Sequence, residues 1–173
     1  MILGLNVGSG QRPFLSVPTA VEWCNVDCIA RDGMPAPDLI CDGAHLPHAD
    51  ASVDYVVLHH VLEHFGCGEG MGLVTEAYRV LKPGGSLFVF VPNLRALAHR
   101  WLEGGLTTQI YVTNLYGAYM GDESDRHKWG FDENSLRMFL LNFDWNVYPF
   151  NWRKIPGADF SKDFWIIGME CIK

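Results

Sequence analysis

Short runs of β-branched and aromatic residues alternate along this chain with stretches of helical periodicity, the pattern of βαβ units. Ile2 to Val7 reads as a strand ending at Gly8-Ser9-Gly10. Trp23 to Asp27 is a weaker strand that ends on an acid, Leu39 to Asp42 is a third that does the same, and Val53 to Leu58 is a stronger fourth. Pro37 and Pro47 punctuate the loops. Between Met71 and Leu81 the apolar positions Leu73, Ala77, Val80 and Leu81 fall on one face of a helix. Lys82-Pro83-Gly84-Gly85 then stops it, since proline cannot continue the ladder and glycine permits a tight reversal. Ser86 to Val91 is apolar enough to be a strand buried on both faces.

Beyond Pro92, Asn93 is placed to cap a helix carrying Leu94, Leu97, Ala98, Trp101 and Leu102, which Gly104-Gly105 ends. Leu106 to Phe131 shows no clean period and reads as an irregular excursion over the sheet edge, part of a substrate-side segment at about 93–131. Asp132 is a second cap, for a helix with Leu136, Phe139, Leu140 and Phe143 on its buried stripe. Two last strands, about Asn146 to Phe150 and Phe164 to Cys171, have no helix between them and should pair antiparallel. The expected fold is α/β: a Rossmann-like, open, mostly parallel seven-stranded sheet with a C-terminal antiparallel strand pair and helices on both faces. The 173 residues are expected to form a single domain.

Composition narrows the partners. A net charge of -7 opposes non-specific binding to a phosphate backbone, so nucleic acid is not the expected partner; Arg126-His127-Lys128 and Arg153-Lys154 are small basic clusters. No apolar run approaches the ~20 residues that span a bilayer. Cysteines 24, 28, 41, 67 and 171 are odd in number and form no CxxC pair, and Met1 runs almost directly into a strand, so a cytoplasmic protein with reduced thiols is expected. His59, His60, His64 and Cys67 raise the question of a metal. Adjacent histidines at a strand end should point to opposite faces, and no metal site is expected there.

In open α/β sheets ligands bind beyond the carboxyl ends of the strands, near the switch in strand order. The residues there are Gly8-Ser9-Gly10, Asp27-Cys28, Asp42-Gly43-Ala44 and His59-His60. Glycines after the first strand let backbone approach a ligand closely. A carboxylate ending the second strand can accept from both hydroxyls of a ribose, and one ending the third can accept from an adenine amino group. Each feature alone is more often a turn or a cap; together, in order, they would hold an adenosine.

These segments carry a family likeness. Leu5-Asn6-Val7-Gly8-Ser9-Gly10, Asn25-Val26-Asp27, Cys41-Asp42-Gly43-Ala44-His45-Leu46-Pro47, Asp54-Tyr55-Val56-Val57 and Arg79-Val80-Leu81-Lys82-Pro83-Gly84-Gly85 resemble the successive motifs of class I S-adenosylmethionine-dependent methyltransferases. His60-Val61-Leu62-Glu63-His64 and Asp125-Arg126-His127-Lys128-Trp129-Gly130-Phe131 resemble a subgroup that acts on small molecules. The resemblance implies S-adenosylmethionine as cofactor and S-adenosylhomocysteine as product. It implies that Asn6, Gly8, Ser9 and Gly10 meet the methionine part, Asp27 and Cys28 the ribose, Asp42, Gly43 and Ala44 the adenine, and His59 and His60 the methyl end. His64 and His127 are the candidates for a general base, needed if the acceptor is a hydroxyl.

The chain departs from the pattern at Asn6, where many members carry an acid, and at Arg12-Pro13, where a third glycine is usual. The segment between the first two strands leaves room for a single helical turn, and with the first strand read from residue 2 no N-terminal helices are expected to roof the substrate. The aromatic excursion (Trp101, Tyr111, Tyr116, Tyr119, Trp129, Phe131), a homodimer or a partner chain is expected to close the site. The expected activity is methyl transfer to a small-molecule acceptor, such as an oxygen of a sugar or metabolite. The alternative is a non-catalytic module that binds the cofactor or a protein partner. A nicotinamide oxidoreductase lacks support, because the third glycine of its loop is Pro13 here.

Overall fold

The computed structural model describes residues 2–15, 20–118, 121–150, 155 and 165–173. The expected single turn between the first two strands falls partly on residues 16–19, and Tyr119, Arg153, Lys154 and Phe164 also lie outside the described residues. Strands β1 (Ile2–Val7), β2 (Val21–Asp27), β3 (Leu39–Ile40), β4 (Val53–His59), β5 (Leu81–Pro92), β6 (Asn146–Pro149) and β7 (Ile166–Ile172) form one sheet in the order β3-β2-β1-β4-β5-β7-β6. The first five are mutually parallel, and β7 inserts antiparallel between β5 and β6. Strand order reverses between β1 and β4, which opens a crevice at their carboxyl ends.

The period of two along the strands divides the core. Leu5, Val7, Val26, Val56, Leu58, Leu87, Val89 and Val91 face one side and pack with Leu73, Val74, Ala77 and Val80 of α1 (Cys67–Val80) and Leu136, Phe139 and Leu140 of α4 (Glu133–Leu140). The intervening residues Val21, Trp23, Val57, Phe88 and Phe90 face the other side, where Phe14, Phe150, Ile155 and Ile166 complete an aromatic layer. Phe90 is fully buried, with its ring 4.7 Å from Phe150 and edge-to-face. No helix among the described residues is long and apolar enough to cross a membrane.

Several element boundaries differ from the sequence reading. Helix α1 starts at Cys67 rather than Met71, because the Gly66 N–H donates to Glu69 Oε2 at 3.0 Å and fixes a first turn that carries no apolar stripe. The Lys82-Pro83-Gly84-Gly85 segment is a bulge inside β5 rather than a loop ahead of it: Leu81 already pairs with Val53, and the register shifts before Tyr55 meets Ser86. The excursion contains a regular helix, α3 (Thr108–Tyr116), besides α2 (Leu94–Leu102). The two expected caps form: Asn93 Oδ1 accepts from Ala96 N at 3.1 Å, and Asp132 Oδ1 from Ser135 N at 2.8 Å.

Candidate functional site

The crevice between β1 and β4 opens into a cleft of about 610 Å³. Its floor is the loop after β1. Gly8 has a φ of +71°, and a Cβ there would lie 2.4 Å from Val61 Cγ2, so backbone and the 3-10 turn beside it approach as only glycine allows. The N–H groups of Gly8 and Ser9 donate to Val26 O at 2.8 and 3.0 Å, and that of Gly10 donates to Asp27 Oδ2 at 2.8 Å. Asp27 is therefore buried at the end of β2 with one oxygen tied to the glycine loop.

Of the residues singled out in the sequence, Gly8, Ser9, Gly10, Asp27, Cys28, Asp42, Gly43, His59, His60 and His64 line this cleft. Asn6 does not. It is buried beneath the loop, where its amide donates to Arg12 O and to Asn25 Oδ1, both at 3.0 Å, and Asn25 Oδ1 also accepts from Phe14 N at 2.7 Å. An amide with two donors suits this place, and Asn6 braces the loop from below instead of facing its ligand side. Ala44 also stands off the wall: its N–H caps Asp42 Oδ1 at 2.9 Å. That bond, with His45 on the other oxygen at 3.0 Å, holds the Asp42 carboxyl below the usual range.

His59 and His60 were expected to diverge, and both line the cleft with ring centroids 4.7 Å apart. His60 has left the strand with a φ of +57°, so the alternation of side chains ends at His59. A 3-10 turn (Leu62–His64) follows at once. His60 Nδ1–H donates to Glu63 Oε1 at 3.0 Å, and Glu63 is 1% exposed. Burial opposes its charge, and the bond and field of His60, with His64 and His127, outweigh it and hold the carboxyl below its usual range.

His127 comes from the distant excursion and meets His64 edge-on, with centroids 4.8 Å apart. The meeting is fixed by main chain: Lys128 N and Trp129 N donate to Glu63 O at 2.8 and 3.1 Å. His127 Nδ1–H donates to Asn114 O at 3.0 Å, which leaves Nε2 as the lone-pair nitrogen. Burial depresses the pKa of His127 and favours the neutral ring.

Comparison with known proteins points to the methyltransferases. A profile described as "Methyltransferase domain" matches residues 18–89. A probable S-adenosylmethionine-dependent methyltransferase of Mycolicibacterium smegmatis is 48% identical over 50 residues, 29% of this chain and 19% of that protein. The probable tRNA methyltransferase 9B of Mus musculus is 31% identical over 93 residues, 50% of this chain and 21% of that protein. The chain thus spans about a fifth of the length of these curated relatives. A SAM-dependent methyltransferase from Archaeoglobus fulgidus superposes with a TM-score of 0.60 at 14% identity, over 99% of this chain and 86% of the other.

Residues 18–89 thus match a methyltransferase domain, and the fold is that of class I S-adenosylmethionine-dependent methyltransferases. S-adenosylmethionine is the cofactor of that family. Sequence reasoning missed one part of this cleft. Arg31, after β2, reaches across to the excursion, where Nη2 donates to Asp125 Oδ1 at 2.8 Å and Ser124 Oγ at 3.3 Å. The Asp125 side chain is 4% exposed. This clamp joins two residues 94 apart in the chain, and both line the cleft. The one available signal was Asp125 itself, an acid at the head of the Arg126-His127-Lys128 cluster.

Proposed function

We propose that this chain transfers the methyl group of S-adenosylmethionine to an oxygen of a small molecule. The observation that carries the reading is a single cleft with Asp27 and the glycine loop on its floor and His59, His60 and His64 on its wall. The cleft volume suits a nucleoside-sized ligand with room for a second molecule. The close approach at Gly8 leaves the loop backbone exposed to the methionine part. Asp27, with Gly10 N–H on Oδ2 at 2.8 Å and the longer Ile29 N–H on Oδ1 at 3.3 Å, has acceptor capacity that suits a ribose diol. Gly43 and the turn after β3 stand where the adenine would lie, with Leu73 as an apolar neighbour.

The bound cofactor would supply an electrophilic sulfonium methyl, so the chain's task is chiefly alignment. The histidine wall orients the acceptor, and His64 on that wall is the imidazole placed for its hydroxyl proton, whereas His127 meets His64 edge-on and is not part of the cleft lining. The Arg31–Asp125 clamp holds the excursion over the cleft and limits the entry of water.

A nucleic-acid acceptor is the second reading, favoured by the 31% identity to a protein named as a tRNA methyltransferase. The net charge of -7 weighs against it, because a polyanion needs a positive surface. Incubation with S-adenosylmethionine carrying a labelled methyl group separates these readings, using a panel of hydroxylated small molecules and, in parallel, total tRNA. Label in the small-molecule fraction is expected. Label in tRNA alone would establish the second reading. Binding of the cofactor without transfer to any acceptor would leave a non-catalytic module.

A further inference from the structure

Glu63, His64 and His127 bring one oxygen and two nitrogen donors within 4.8 Å of one another beside the cleft. Two of the three come from one turn and the third from far along the chain. The 3-10 turn after β4 supplies the first two, and the main-chain bonds from Lys128 and Trp129 to Glu63 O carry His127 to them. Gly117 makes the approach possible. At a φ of +85° a Cβ there would lie 2.2 Å from Asp125 O and 3.0 Å from His127 N, so only glycine lets the end of α3 pack against the His127 segment.

Three features of this cluster point to a ligand. Glu63 is 1% exposed, and its Oε2 is buried without a hydrogen-bond partner; the same holds for His64 Nδ1. An unsatisfied buried carboxylate oxygen is costly, and a carboxylate so placed calls for a cation. The nearby ammonium does not serve: Lys128 Nζ turns outward to Glu69 Oε2, at 3.5 Å. Finally, His127 Nδ1–H is held by Asn114 O, and a carbonyl on the far nitrogen is the outer-shell arrangement that orients a metal-ligating imidazole.

We propose that Glu63, His64 and His127 form a binding site for one divalent transition-metal ion, with its open coordination positions toward the cleft. Two imidazoles and one carboxylate suit zinc, manganese, cobalt or ferrous iron and select against magnesium and calcium, which prefer all-oxygen shells. Donors around one ion lie about 3–4 Å apart at bond lengths near ~2.1 Å, so small ring rotations close the site. His60, on Glu63 Oε1, orients the carboxylate from behind. The sequence reading expected no metal at His59, His60, His64 and Cys67; of these His64 is a donor here, joined by Glu63 and His127. The ligand class at the open positions is an oxygen donor, a hydroxyl or carboxylate of the acceptor; this last step rests on the methyltransferase reading, whereas the metal site does not.

The test uses the chelator-treated chain, titrated separately with Mn²⁺ followed by electron paramagnetic resonance, with Co²⁺ followed by its visible absorption, and with Zn²⁺ by competition. One ion per chain is expected, weakened about 100-fold or more in His127→Ala and in Glu63→Gln. His99→Ala, an exposed histidine on α2, should bind as the wild type does. The Co²⁺ spectrum of the wild type reads nitrogen and oxygen coordination directly, so the test stands even if a variant folds poorly. No saturable binding of any of the three ions to the wild type, or binding kept at full strength in both folded variants, overturns the site. S-adenosylhomocysteine is titrated alongside: metal binding without it overturns the methyltransferase reading and leaves the metal site, and the reverse overturns the metal site alone.

Discussion

Replacement of Arg31 by alanine should loosen the excursion from the cleft. The guanidinium is 19% exposed and the Asp125 side chain 4%, so the pair is largely shielded from solvent. Removing one partner of a fully buried pair costs about 3–5 kcal/mol, because the other charge stays behind unpaired. Here Asp125 Oδ2 keeps the Asp122 N–H at 3.2 Å, and Arg31 is partly in water. A cost of about 2 kcal/mol is therefore expected, or roughly 30-fold in the equilibrium between docked and undocked excursion. Hydrogen exchange of the ligand-free protein reads this without interference from any contact Arg31 itself makes with ligand. Amides of residues 122–129 should exchange up to ~30-fold faster in Arg31→Ala, with those of β4 and β5 unchanged. Exchange of 122–129 within twofold of the wild type would refute the clamp.

Two further perturbations test the loop and the flank of the sheet. Gly8→Ala places a Cβ 2.4 Å from Val61 Cγ2 at a φ of +71°, and should cost about 2–4 kcal/mol by combined overpacking and backbone strain, read as a fall in the thermal midpoint. A midpoint within a degree of the wild type would contradict the close approach. Glu76 is held below its usual pKa by its bonds to Arg79, helped by the Leu46 N–H at 2.7 Å. A lowered folded-state pKa contributes stability that is present above the unfolded value of about 4.3 and lost as pH falls through the lower folded value. Glu76→Gln should therefore cost about 1 kcal/mol at pH 7 in a denaturant titration and progressively less below about pH 4. A penalty that grows on acidification would show the sign to be wrong.

The parallel sheet was legible because its central strands are buried on both faces and its loops end on Gly8, Asp27 and Asp42, each at a carboxyl end. The caps at Asn93 and Asp132 were legible for the same local reason. What escaped depends on contacts between distant segments. Helix α3 has no buried residue, so burial imposes no apolar period on Thr108 to Tyr116 and nothing in the pattern marks it. His60 needed a left-handed φ that no propensity for histidine announces. Asn6 read as a weak acid substitute, and only its geometry with Arg12 and Asn25 shows a brace. Arg31 with Asp125, and Glu63 with His127, are pairs made by the fold. Their chemistry was visible residue by residue and their meeting was not.

The central claim is that the cleft at the carboxyl ends of β1, β2 and β4 binds the adenosyl cofactor through Asp27. Calorimetric titration of the chain with S-adenosylhomocysteine, with NAD as the competing dinucleotide and Asp27→Ala as the variant, tests it most directly. Saturable binding of S-adenosylhomocysteine that is lost or weakened at least ~100-fold in the folded variant, with none for NAD, is the predicted result. No binding at millimolar S-adenosylhomocysteine, or undiminished binding by Asp27→Ala, would contradict it.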